Sequence, residues 1–156
     1  MGSFSRASAS IIASYSAGYV GSLFITTGAG TWYDALIKPD FLPPGSVFLP
    51  GWLVLYGLMA AALYIIWSRD PNAREWTGWV PLFFAHLLLN VGWVVFFFGF
   101  HAVFIAFVDI VALAFSILIL ISGAWAIDKR AAFLLIPYLL WVLFATALNA
   151  AIWYLN

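Results

Sequence analysis

Five long stretches of the chain, at 7–33, 41–68, 76–108, 110–127 and 131–156, contain no Asp, Glu, Lys or Arg. A bilayer core about 30 Å thick takes roughly 20 apolar residues to cross as a helix. The pattern therefore predicts five spans, at about 8–29, 47–67, 79–98, 102–126 and 131–154. The runs are continuous rather than alternating, which excludes a transmembrane β-barrel. The expected fold class is all-α, an integral membrane bundle of five transmembrane helices that fills residues 1–156 as a single domain. The apolar run from Ile11 to Thr27 follows Arg6 and resembles a signal peptide at first sight. It reads as the first span, because it is long and Gly28-Ala29-Gly30 leads from it straight into a structured loop.

The connections between spans are unequal. Gly99-Phe100-His101 leaves so short a connector that spans three and four must form an antiparallel hairpin. The second loop (Arg69 to Gly78) and the fourth (Asp128 to Arg130) are short and charged. The first, from about Gly30 to Ser46, carries Lys38-Pro39 and Pro43-Pro44-Gly45, and its prolines rule out a plain helix. A long, stiffened loop with aromatic anchors suits a lid. In a five-span chain Arg6, Arg69, Arg74, Lys129 and Arg130 share one side of the membrane, and Lys38 alone takes the other. The positive-inside rule then places the N-terminus on the cytoplasmic or equivalent side.

Composition narrows the chemistry. Charged residues make up 8% of the chain against about 25% in soluble domains, so lipid is the solvent. Cysteine is absent, which removes disulfides, thiolate metal sites, Cys nucleophiles and iron–sulfur clusters. A net charge of zero with no basic stripe argues against nucleic acid as a partner. No metal cage is visible. Aromatic residues are abundant, with nine Trp, seven Tyr and fifteen Phe. Trp32, Tyr33, Trp76, Trp79, Trp125, Trp153 and Tyr154 lie near predicted span ends, where amphipathic rings favour the headgroup region. Trp52, Trp93 and Trp141 lie deeper and need another account.

Three stripes at helical spacing supply one. His86, Asn90, Trp93 and Phe97 follow i, i+4, i+7, i+11 on span three and belong on the bundle side, where a mid-membrane His and Asn find partners. Tyr138, Trp141, Ala145, Leu148 and Ile152 line span five beside Asn149, after Pro137, whose ring frees the carbonyl of Phe133. Trp52, Tyr56, Met59 and Leu63 line span two. Such stripes are ordinarily core packing and interhelical hydrogen bonds. Converging around indole, imidazole and amide groups, they would form an apolar pocket with a few orienting polar atoms, as small-molecule sites do. His86 has the chemistry of an axial haem ligand, although a lone buried His more often serves packing. Asp109, the one formal charge within a span, should face the bundle and be partnered or protonated, most simply as a structural hydrogen bond near the helix end. Gly92, Gly99, Ala102 and Ala106 allow the close backbone approach of a homodimer.

The motifs match a known family. Trp32-Tyr33, Lys38-Pro39, Pro43-Pro44, Val47-Phe48, Trp52 and Leu55-Tyr56 reproduce its first loop and second helix. Asn90, Trp93, Phe97-Phe98-Gly99 and Asp109 follow its third and fourth helices, and Pro137-Tyr138-Leu139, Trp141, Phe144-Ala145-Thr146 and Leu148-Asn149 its fifth. The chain resembles the tryptophan-rich sensory protein/translocator protein family, the peripheral-type benzodiazepine receptor group, over about residues 10–156. The resemblance implies a five-helix bundle, usually a homodimer, in a bacterial membrane or the mitochondrial outer membrane. It implies binding of protoporphyrin IX, haem and isoquinoline or benzodiazepine ligands among the helices under the first loop, with no required cofactor. It also implies light-dependent porphyrin breakdown in some bacterial members, a photochemical role that would fall on Trp52 and Trp141. His86 departs from the Gln of many relatives, and Asp40-Phe41-Leu42 replaces a common aromatic step. Ala150 takes the place of the Tyr in a sterol motif, which is therefore incomplete here.

Three functions follow in order. A receptor or sensor for tetrapyrroles and similar flat apolar molecules comes first, with Trp32, Tyr33, Pro43, Trp52, Tyr56, His86, Asn90, Trp93, Phe97, Tyr138, Trp141, Ala145 and Leu148 as candidate ligand-binding residues. An enzyme comes second and is limited to photochemistry, since no nucleophile–base pair is present. A transporter comes third, because Asp109 has no evident ionisable partner and no internal repeat is apparent.

Overall fold

The computed structural model describes residues 3–69 and 74–156, and among them it is helical with no strand. Helix α1 runs Ser3–Ser22, the short α2 Trp32–Ala35, α3 Phe48–Trp67, α4 Arg74–Val94, α5 Val103–Ile127 and α6 Lys129–Leu155. A 3-10 turn at Gly45–Val47 leads into α3, and a π turn at Val95–Gly99 extends α4. Four of these segments are long and apolar enough to cross a membrane: Gly45–Trp67, Gly78–Gly99, Val103–Ile127 and Lys129–Leu155. The chain is thus a multi-pass integral membrane protein.

Several boundaries differ from expectation. The first helix ends at Ser22, not near 29, although Leu23-Phe24-Ile25 keeps the sequence apolar. Apolar character shows what lipid tolerates, while helix continuation depends on the backbone, and here Gly21, Ser22, Thr26 and Thr27 surround the break. Helix α4 begins at Arg74, five residues earlier than expected, so Pro81 joins Pro137 as a proline inside a helix. Residues 70–73 of the second loop, with the side chains of Arg74 and Trp76, lie outside the described residues. The hairpin expected at Gly99–His101 is present, with α5 starting at Val103 and His101 taking φ +55 in the turn. That left-handed conformation is uncommon for a side chain with a Cβ, and His is among the residues that tolerate it.

Glycines let the helices close. A Cβ on Gly18 would meet the Tyr56 ring at 2.4 Å, so α1 packs against α3 only because that position is bare. Tyr15 donates to the Leu53 carbonyl at 2.9 Å across the same contact. Gly123 makes room for Trp79, whose Nε1 donates to Leu120 O at 2.8 Å. Trp79 is only 3% exposed and is therefore a core residue, not the interfacial anchor its position near a span end suggested. Three of the four small residues expected at a dimer contact are occupied within the chain. Gly92 lies beside Asp109, Gly99 beside Phe24, and Ala106 is fully buried with Phe97 and Ile152.

Arg6, Arg69, Asp128 and Arg130 meet at one end of the bundle. Asp128 caps α6 by accepting from Arg130 N at 2.9 Å. Its carboxylate pairs with Arg130, Nη2 to Oδ2 at 3.0 Å, and with Arg69. Arg6 donates to the Trp67 carbonyl at this same end. Arg130 first, then Arg69, holds the Asp128 carboxyl well below the usual carboxylate range. Its stabilising pairs are complete above the unfolded value of about 3.9 and are lost as pH falls through the depressed folded value. Thermal stability in detergent should hold level above about pH 5 and decline below about pH 4, and Asp128→Asn should flatten that decline while keeping the helix cap.

Candidate functional site

The polar centre of the bundle is Asn90, 1% exposed on α4. Its Oδ1 accepts from the Tyr56 hydroxyl of α3 at 2.8 Å, and its Nδ2 donates to the Tyr138 hydroxyl of α6 at 3.2 Å. One amide therefore joins three helices. One turn toward the first loop, Trp93 donates to Asn149 Oδ1 at 3.0 Å, and Asn149 Nδ2 donates to Val103 O at 2.9 Å. These bonds tie α4 to α6 and α6 to the start of α5.

Around this network the rings pack against one another. Trp52 is the hub, with centroids 5.6 Å from Tyr56, 6.3 Å from Trp141, 6.4 Å from Tyr138 and 6.5 Å from Trp93. None of the hydrogen bonds in the network uses the indole N–H of Trp52 or Trp141. Trp52 and Trp141 meet at 84°, edge to face, the arrangement that the ring quadrupole favours. The seam continues through Trp93–Phe97 at 5.9 Å and Phe97–Trp32 at 5.7 Å to a Trp32–His101 stack at 4.1 Å.

The first loop is fastened to the bundle by this seam. Tyr33 lies 5.4 Å from Phe98 and 6.3 Å from Phe97, and burial alone pushes its phenol above the ordinary value. Lys38 Nζ sits 4.9 Å over the Tyr33 ring and donates to the carbonyls of Asp34 and Leu36. Asn156, at the end of α6, accepts from Ile37 N at 2.9 Å and donates to Ile37 O at 3.1 Å.

His86 is fully buried. Its Nδ1 is bonded to the Phe83 carbonyl of its own helix. A carbonyl can only accept, so Nδ1 carries the proton and Nε2 is the bare acceptor of a neutral ring. Nε2 has no partner among the described residues. Asp109 faces α4 as expected, beside Gly92, but its Oδ2 is likewise buried and unpartnered among the described residues, so the structural hydrogen bond expected there is missing for that oxygen. No cluster of three metal-ligating side chains occurs among the described residues.

The structure thus brings Trp52, Tyr56, His86, Asn90, Trp93, Tyr138 and Trp141 together, and links them through Phe97 to Trp32 and Tyr33. Ala145 and Leu148 are buried on α6, each 5% exposed. Pro43 is half-buried in the loop. None of these last three lines either of the two cavities described next. The first, about 710 Å³, is a groove between α3 and α6 bounded by Pro50, Gly51, Val54, Pro137, Leu140 and Trp141. The second, about 460 Å³, lies at the loop end beside Trp32, His101, Trp153 and Asn156. Both flank the aromatic cluster. Sequence reasoning missed the groove, although Pro137, Leu140, Trp141 and Phe144 recur at helical spacing, and it treated His101 as mere connector.

A tryptophan-rich interior in a helical multi-pass membrane protein defines the class. The chain belongs to the TspO/MBR family, whose model it matches over residues 10–155. It is 40% identical over 152 residues to the tryptophan-rich protein TspO of Archaeoglobus fulgidus, covering 95% of each chain. It is 37% identical over 139 residues to the protein of that name in Chlorobaculum tepidum, with 89% of this chain and 88% of the relative covered. To the human translocator protein it is 36% identical over 145 residues, covering 86% of this chain and 80% of the relative.

Asn90→Leu should remove both phenol hydrogen bonds and lower stability by about 1–2 kcal/mol, given roughly 0.6 kcal/mol for each bond in a membrane plus two unpaired buried hydroxyls. Unfolding by SDS titration in bicelles measures this, and an unchanged midpoint would show that the network carries no stability.

Proposed function

We propose that the protein is a membrane receptor or sensor that holds flat apolar molecules, porphyrins such as protoporphyrin IX or haem above all, against Trp52 and Trp141. The observation that carries this reading is the Trp52 hub, four aromatic contacts beside a buried, helix-joining amide. Apolar walls with a few fixed polar atoms are what small-molecule sites use. The indole N–H groups of Trp52 and Trp141 are donors that the network leaves unused, and His86 Nε2 is an acceptor with no other partner among the described residues. The same walls suit isoquinoline and benzodiazepine rings. Room for a macrocycle requires the Trp52–Trp141 contact to part, and the cavity beside Trp141 is where that ring can go.

A second reading rests on the indole-to-indole contact itself. Trp93, Trp52 and Trp141 lie within 6.5 Å centroid to centroid along the seam, so an electron taken from one indole by an excited porphyrin is shared among neighbours. Dioxygen would then be the oxidant that opens the macrocycle.

The reading includes a fifth span. Helix α1 has 20 residues, about 30 Å at 1.5 Å per residue. It buries Ser10 and Ser14 while presenting Ile11, Ile12, Tyr19 and Val20 outward, the polarity that lipid selects.

Protoporphyrin IX should quench intrinsic Trp fluorescence saturably, and Trp52→Phe/Trp141→Phe should weaken binding about tenfold or more. Unchanged fluorescence in the wild type would end the receptor reading. Under illumination the Soret band should fade faster with wild type than with the double variant, and equal rates would remove the photochemical reading. The chain has no cysteine, so single introduced thiols report topology. Phe4→Cys and Lys129→Cys should label from one face of a sealed vesicle and Asp34→Cys from the other, whereas Phe4→Cys labelling with Asp34→Cys would mean that α1 does not cross.

A further inference from the structure

The turn that joins α4 to α5 sets an imidazole against the first loop. His101 takes φ +55 there, between Phe100 N donating to Val95 O at 2.9 Å and Ala102 N donating to Phe96 O at 2.8 Å. Glycine fits such a backbone most readily, yet this turn presents a ring. The ring lies 4.1 Å from that of Trp32 at an interplanar angle of 14°, face on face. Phe97 meets the same indole edge-on, at 5.7 Å and 69°. Trp32, the first residue of α2, is thus gripped between the bundle and the turn.

His101 is the titratable member of this grip. It is exposed and lies outside the spanning segments, so water can protonate it. Histidine is the side chain whose charge ordinarily changes between about pH 5 and 8. A cation is attracted to the face of an indole, the negative side of the ring quadrupole. Protonation therefore strengthens the stack on Trp32, and loss of the proton weakens it. Other ionisable groups stand on the elements around the turn: Tyr33, Asp34 and Lys38 in the loop, Asp109 in α5 and Tyr154 in α6. None of them lines the cavity that His101 borders with Trp32, Trp153 and Asn156. Asp34 accepts from Gly30 N, Lys38 sits over the Tyr33 ring and Asp109 lies beside Gly92. The π turn before His101 brings apolar side chains alone.

We propose that His101 is a proton-operated clasp on the first loop: charged, it holds Trp32 and with it α2 against the bundle, and neutral, it lets that part of the loop lift. The device needs no ligand, so it stands apart from the receptor reading above. Its direction follows from the quadrupole. Closure is greatest where His101 is charged and falls as pH rises through the range in which histidine loses its proton. The contacts of Tyr33 with Phe97 and Phe98, and of Asn156 with Ile37, do not titrate in that range and keep the loop attached at both pH limits. The clasp therefore tunes how often the Trp32 end opens and does not release the whole loop.

The test uses the full chain in lipid nanodiscs with no ligand added. Because the chain has no cysteine, a nitroxide on Ala35→Cys, exposed at the end of α2, reports the motion of that segment by electron paramagnetic resonance. With His101 present, the ratio of mobile to immobile signal should rise about two- to fivefold between about pH 5 and 8 in a single transition. Adding His101→Phe keeps an aromatic ring that cannot charge and should leave the ratio flat. His101→Asn, which tolerates the left-handed backbone if the Phe variant distorts the turn, should give a mobile label with no transition. A nitroxide on Phe4→Cys, at the opposite end of the bundle, should show no change over the same range. A flat ratio with His101 present, a ratio that falls as pH rises, or a transition that survives in both His101 variants overturns the inference. With no porphyrin in the experiment, each of those results leaves the receptor reading untouched.

Discussion

A primary amide in the middle of a membrane must find partners inside the protein, because the lipid offers none. Asn90 answers that requirement with two phenols from two other helices, and the rest of the interior is arranged around the result. Tyr56 and Tyr138 cannot move independently once both hydroxyls are committed to one side chain. Their rings in turn set two of the four walls around Trp52. Dispersion alone drives helices together weakly in lipid, since acyl tails are as apolar as leucine. A shared, directional hydrogen-bonding group therefore fixes the rotation of α3, α4 and α6 about their axes in a way that apolar packing does not. Helix α1 joins the same arrangement by a steric route, its Gly18 seated against the Tyr56 ring.

The aromatic seam extends that rigidity to the loop. Trp93 belongs to both halves, bonded to Asn149 through its indole nitrogen and in ring contact with Trp52 on one side and Phe97 on the other. Phe97 lies in the π turn that ends α4, and such insertions re-aim side chains where a regular helix would not. Trp32 and Tyr33 close over it from the loop. Two rings, Trp93 and Phe97, therefore form a continuous path of contact from Trp52 to the loop. His101 and Asn156, holding Trp32 and Ile37, are where that path reaches the surface.

Much of this was legible in the residues. Spacing placed His86, Asn90, Trp93 and Phe97 on one face, and the structure joins that face to Tyr56, Trp52 and Tyr138 because only the interior can satisfy an amide there. The tight connector at Gly99–His101 could only be a hairpin. Trp79 was misread because nearness to a span end does not decide which way a side chain turns, and this indole turns inward into the space left by Gly123. The indole is buried and bonded to the Leu120 carbonyl of α5. The groove between α3 and α6 was hidden for a different reason. It is a gap, made by Gly51 and by the exposed edges Val54 and Leu140, and a gap between helices appears only when their separation is known.

The proposed fifth span turns on how the two faces of helix α1 differ. Its serines and glycines make it the least apolar of the long helices, and by composition alone it falls outside the set suited to cross a bilayer. Placement reverses that impression. Ser10 and Ser14 are fully buried, with Ser10 returning a hydrogen bond to the Arg6 carbonyl, and Ala17 and Gly21 continue the same inward line. The outward line is Ile11, Ile12, Tyr19 and Val20. In water such a helix would be inside out, with bulky apolar groups solvated and hydroxyls enclosed. For a spanning α1, as proposed above, the small residues let the helix approach α3 and α4 closely and the large ones would meet lipid, although the buried Ser14 hydroxyl has no partner among the described residues. Averaged hydropathy adds the two faces together and loses the sign of their difference, which is the property that matters for a helix with protein on one side and lipid on the other.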